Sequence, residues 1–203
     1  MVRLFALCLV GLFSLSSWAQ TSLILGESLT FNLRSAQTHQ DYAKLDLAPL
    51  KAHFHLDDSA QTSDRIRLKL TPYQVGRFQI PHLQSGGLVI EAQTIEVQPN
   101  PQVKIDWGAP SEQAYQGQWL SWSIQVELND AGLPVGLLPS SNPDVLLSET
   151  PVQQQIVENK TARFVQAQHF AQLGTQLAVS PQLFVQNRQG TRWQFFAPPH
   201  RVE

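Results

Sequence analysis

Apolar residues at every second position, in runs that a proline or glycine soon interrupts, constrain this chain more than any other feature. Arg65-Ile66-Arg67-Leu68-Lys69-Leu70 is apolar at each even step, and so are Phe78 with Ile80 and Ile95 with Val97. Leu120, Trp122, Ile124 and Val126 repeat the pattern. A period of two sends alternate side chains to opposite faces, which describes a half-buried strand. Between the runs stand "HLQSGG", "QPNPQ" and "NDAGLPVG". Turn signals at intervals of roughly ten residues predict a β-sandwich. No long segment carries helical spacing.

The stretch "LTPYQVGRFQIP", residues 70–81, shows how the chain turns. Pro72 cannot donate to a sheet ladder, so the strand carrying Leu70 ends there. Gly76 suits the corner because it reaches backbone angles closed to other residues. Phe78 and Ile80 then face a core until Pro81 stops the second strand. Two windows recur. "GESLTFNL" (26–33) and "GQWLSWSI" (117–124) share Gly-x-x-Leu-x-aromatic-x-aliphatic at an offset of 91. The corner "QVGRFQIP" (74–81) has a looser echo in "QLGTQLAVSP" (172–181), at an offset of 98. Two echoes in the same order indicate a duplicated unit of about 95 residues, the size of one immunoglobulin-like sandwich. The chain is therefore expected to be all-β, with tandem immunoglobulin-like β-sandwich domains over 20–99 and 100–203. Two prolines in "QPNPQ" prevent a shared ladder at the boundary.

Residues 1–19 are expected to be removed. Arg3 precedes an apolar run from Leu4 to Leu15, and Ser17-Trp18-Ala19 places small residues where a signal peptidase reads. Cys8 follows the bulky Leu7 and lies too early in the run for lipidation. Cleavage leaves 13 bases against 16 acids, a net charge near −3, too weak to point to nucleic acid or an anionic membrane. It also removes the only cysteine, so the mature chain has no disulfide and depends on burial. No later apolar run reaches the roughly 18 residues that span a bilayer. The product is expected to be exported and to have no membrane span of its own.

Motifs for chemistry are scarce. There is no Gly-x-Ser-x-Gly, no His-Glu-x-x-His and no phosphate-cradling glycine loop. His53 and His55 share a strand face and could share a metal, but no third ligand has a defined place, so an outward face leading into a polar turn is the expectation. Asp130 and Asp144 sit in turn sequences without the further oxygen ligands that calcium needs. Asn159-Lys160-Thr161 is a formal glycosylation sequon. No catalytic residue, metal site or cofactor is expected. Arg65, Arg67 and Lys69 form a basic stripe on an outward face, either solvated or a docking surface for an acidic partner. Trp119 lies out of register with Leu120 and Trp122, so it faces outward and is either covered by the neighbouring domain or offered to a partner. Trp193 and Phe195 are expected in the core of a late strand.

These residues carry a family resemblance. "LTPYQVGRFQIPHLQSGGLVIEAQTIEVQP" (70–99) resembles the end of the first domain of the BatD, or oxygen-tolerance, family, with its Gly-x-Phe-x-Ile-Pro corner. "AYQGQWLSWSIQVEL" (114–128) is similar to that family's entry to its second domain, Tyr-x-Gly-Gln, and "LGESLTFNL" resembles its opening strand. The resemblance implies immunoglobulin-like domains in the periplasm, acting without catalysis beside von Willebrand factor A-type membrane proteins and a MoxR-type ATPase in envelope stress or oxygen tolerance. Members typically continue into a transmembrane helix, which this sequence lacks. The alternatives are a periplasmic chaperone or pilus-type subunit that accepts a donated strand, and a carbohydrate-binding module stacking sugars on Trp119 and Trp193.

Overall fold

The computed structural model describes residues 20–115, 117–138, 154–158, 160–169, 176–178 and 180–203. The expected signal peptide with Cys8, Asp144, Asn159 and half of the second corner lie outside the described residues. In the first half, β1 (Gln20–Ile24) and β2 (Leu29–Arg34) precede two short helices, α1 (Thr38–Ala43) and α2 (Ala48–Lys51). Then come β3 (Phe54–Thr62), β4 (Arg65–Pro72), β5 (Gly76–Ile80), β6 (Leu83–Ser85), β7 (Leu88–Ile90) and β8 (Gln93–Gln98). The second half holds β9 (Val103–Gly108), β10 (Trp119–Leu128), β11 (Val135–Leu138), β12 (Gln154–Glu158) and β13 (Thr161–His169). It closes with β14 (Gln176–Ala178), β15 (Gln182–Gln186), β16 (Arg192–Phe196) and β17 (His200–Val202).

The fold is all-β, built as tandem immunoglobulin-like sandwiches. In the second half the order β9-β10-β13-β12 is that of the A-B-E-D sheet of such a sandwich. Its inner face meets the sheet β11-β15-β16. Alternation carries this packing. Leu120, Trp122, Ile124, Val126 and Leu128 of β10 are buried, while Trp119, Ser121, Ser123 and Glu127 point out. Across the ladder, Phe164 of β13 lies opposite Ile124 and Ala162 lies opposite Val126. One core draws on residues from Val103 to Val202. The other runs from Leu33 to Val97, between β2-β4-β3 and β1-β8-β5. Leu25 packs against both.

The recurrence read in the sequence returns as topology. The sheet β2-β4-β3 corresponds to β10-β13-β12, and in each half the strand next to both others is the later one. After it, β5 pairs with β8 around the hairpin β6-β7, as β14 pairs with β17 around β15-β16. Gly26 and Gly117, which open the two matched windows, both hold left-handed angles, φ +98° and +82°. The corner in the first half is also as expected. Pro72 ends β4, Gly76 opens β5 at φ +143°, and Pro81 follows Ile80.

Two features depart from expectation. β1 runs parallel to β8, whereas its counterpart β9 runs antiparallel to β10. The helices α1 and α2 occupy the first half where the second has β11. They are too short to show a helical period. Buried Leu45 and Leu50 dock them on the core. Ser35 donates to Asp41 Oδ2 at 2.7 Å, and the same oxygen accepts from Gly87 N at 3.1 Å, tying α1 to the β6-β7 turn. These bonds, Ser35 first, hold the Asp41 carboxyl below its usual range.

Candidate interaction site

An aromatic turn precedes β10. Gln118 N donates to the Tyr115 carbonyl at 2.9 Å, and Tyr115 N donates to Gln118 Oε1 at 2.9 Å. Gly117 supplies the left-handed angle, and a β-carbon there would meet nothing within 4 Å. The turn is mounted on the end of the chain: Ala114 N donates to the Glu203 carbonyl, and Glu203 N to the Glu112 carbonyl. Tyr115 is 85% exposed and Trp119 is 52% exposed. A braced turn carrying two exposed aromatic rings has the composition of a binding hot spot. Trp119 was legible from its register. Tyr115 stands outside any alternating run, and an aromatic beside a glycine turn is the usable signal for it.

The basic stripe divides. Arg65 and Arg67 are exposed on the outer face of β4. Arg65 lies across from Arg34, whose Nε pairs with Asp64 at 2.8 Å. Lys69, two residues further along, is half-buried, and its Nζ donates to Gln194 Oε1 of β16 at 2.7 Å. Thus one end of the stripe faces solvent, and the other is engaged in the contact between the two sandwiches.

That contact also takes one of the two histidines. The ring of His55 stacks on Phe196 at 3.7 Å and 11°. Burial pushes the His55 pKa down, opposed by Asp57 and reinforced by Lys69. His53 is exposed and rests near the Phe78 ring, 5.1 Å away. β3 begins at Phe54 and continues through Asp57 and Asp58 to Thr62, so the polar turn comes only after residue 62, and His53 precedes the strand. Among the described residues, no three His, Cys, Asp or Glu side chains gather as metal ligands would. Asp130 accepts an ion pair from Arg188 at 2.8 Å.

Further polar links join the halves. Gln194 N donates to the Gly26 carbonyl at 3.0 Å. Buried Asn100, in the middle of "QPNPQ", donates to the Leu25 carbonyl at 3.0 Å and accepts from Gln102 N. Trp193 is only 8% exposed and lies in the second core with Phe195, so its ring is no platform beside Trp119.

No family model matches the sequence, and no curated protein does so. Among solved structures, the titin domains z1z2 in complex with telethonin are similar at 15% identity, over 93% of this chain and 94% of that one, with a TM-score of 0.24. A superposition this loose carries no functional argument. No helix among the described residues is long and apolar enough to cross a membrane.

Proposed function

We propose that this chain is a non-catalytic interaction module of the periplasm, of the BatD kind. It binds envelope proteins, von Willebrand factor A-type membrane proteins foremost, and serves envelope stress or oxygen tolerance together with a MoxR-type ATPase. The observation that carries the proposal is the braced aromatic turn, with Tyr115 and Trp119 exposed at 85% and 52%. This turn lies within residues 114–128, one of the segments that resemble the family. Exposed Arg65 and Arg67 add a basic surface that suits an acidic partner. The sandwich fold alone favours no function. The apolar segment 1–19, with its small-x-small end, supports export.

The test is a crosslinking capture in intact source cells with a C-terminal tag. The expected result is recovery of von Willebrand factor A-type membrane proteins by the natural chain and their loss with Tyr115→Ala/Trp119→Ala. Recovery of pilins or unfolded outer-membrane proteins instead, or undiminished capture by the double variant, would sink the proposal.

A further inference from the structure

A cleft of about 460 Å³ opens beside the junction of the two sandwiches. Phe54 and Leu56 of β3 line it from one half, with Tyr73 just beyond β4; Pro199 lines it from the other. Lys51, at the end of α2, and Arg201, on β17, add one cation from each half. Among the described residues, neither cation enters an ion pair and no acidic side chain lines the cleft. Two cations over an apolar wall complement a molecule with an apolar body and one anionic head. Burial pushes the Tyr73 hydroxyl above its usual range, so it stays a neutral donor. The volume falls in the range of small-molecule pockets, roughly 300–1,000 Å³, which favour the boundary between two domains.

A partner's extended strand fits less well. β3 is the edge of its sheet, but it carries Asp57 and Asp58 and has a register break between Ala60 and Thr62. Charges and bulges on an edge discourage an added strand. We therefore propose that the junction cleft binds a small amphiphilic carboxylate, its carboxylate between Lys51 and Arg201 and its apolar body against Leu56 and Pro199, with buried Phe54 beneath them. This site is separate from the aromatic turn and does not depend on the function proposed above.

Isothermal titration calorimetry on the purified chain tests the assignment, with decanoate, decanol and decylammonium as probes below their micelle concentrations. Decanoate should bind, and the other two should bind at least about tenfold more weakly. Lys51→Gln and Arg201→Gln should each weaken decanoate about tenfold. Ala52→Trp, at an exposed position lining the cleft, should block it. The two glutamine variants alter only exposed side chains, so they decide the matter even if the tryptophan variant misfolds. Equal binding of all three probes, or decanoate affinity unchanged in both glutamine variants, overturns the site. So does binding of a leucine-terminated peptide with a free carboxylate where decanoate fails, which would make the cleft a receptor for protein tails.

Discussion

Gly26→Ala should be far more damaging than Gly117→Ala, although the two glycines open equivalent windows at similar left-handed angles. At either position an alanine suffers about 1–2 kcal/mol of backbone strain. Each regains about 0.4–1 kcal/mol by stiffening the unfolded chain. These contributions are common to both variants and cancel in their difference. The surroundings do not cancel. A β-carbon on Gly26 would stand 2.8 Å from two ring carbons of Phe195 and 2.9 Å from Trp193 Cβ, whereas one on Gly117 meets nothing within 4 Å. Phe195 is buried in the second core, and Gly26 also accepts the bond from Gln194 N, so neither side can retreat cheaply. Overpacking of this kind typically costs about 1–3 kcal/mol. Gly26→Ala should therefore lose roughly 1–3 kcal/mol more than Gly117→Ala. Urea unfolding, followed by the fluorescence of buried Trp122 and Trp193, reads the difference from the two midpoints. Equal losses would mean that Gly26 is not wedged against the second core and that the close approach of the two halves at this point is wrong.

Four further outcomes are expected. Trp119→Ala should lose less than about 2 kcal/mol, because about half of the residue is exposed; a loss in the range of a fully buried side chain in a urea titration would place Trp119 in structural packing. The His55 pKa is depressed in the folded chain, so the unfolded chain binds the extra proton first; stability should be full above about pH 6.5 and decline as pH falls below it, and His55→Gln should flatten that slope in urea titrations. A double-mutant cycle on Lys69→Met and Gln194→Ala should return about 0.5–1.5 kcal/mol of coupling, and a value of zero would dissolve the bond drawn between them. Leu68→Ala and Leu183→Ala, each fully buried in a different core, should each lose about 2–5 kcal/mol, and calorimetry shows whether the two losses fall in one transition or two.

Strands were legible wherever one face meets a core and the other meets solvent, because burial then writes itself into the sequence at a period of two. β4 and β10 are the clearest cases. The helices were not legible, since six and four residues cannot display a helical period, and only Leu45 and Leu50 record their docking. The parallel pairing of β1 with β8 depends on a partner more than seventy residues away, for which alternation holds no information. Lys69 and His55 teach a narrower lesson. Register places Lys69 on the outer face of its sheet correctly, but an outer face is not always a wet one. At one end of β4 the second sandwich covers it, and a lysine that reads as solvated surface becomes a donor to Gln194. The same cover turns His55 from a potential metal ligand into a ring stacked on Phe196.

The departures from the repeat lie close to the proposed chemistry. Two halves with the same pairings and nothing else would offer the same surfaces twice. Here the first half has α2 in place of a strand like β11, and α2 brings Lys51 to the rim of the junction cleft. The last strand, β17, brings Arg201 to the same rim, and Glu203, just past its end, holds the base of the aromatic turn. Glu203 follows Arg201 by only two residues, so the cleft and the turn are braced by one short segment. A rigid segment shared by two sites couples them only if it has two arrangements that each ligand distinguishes. Among the described residues, the three of β17 pair with β14 alone, and a strand with so few sheet bonds is where such a second arrangement would cost little.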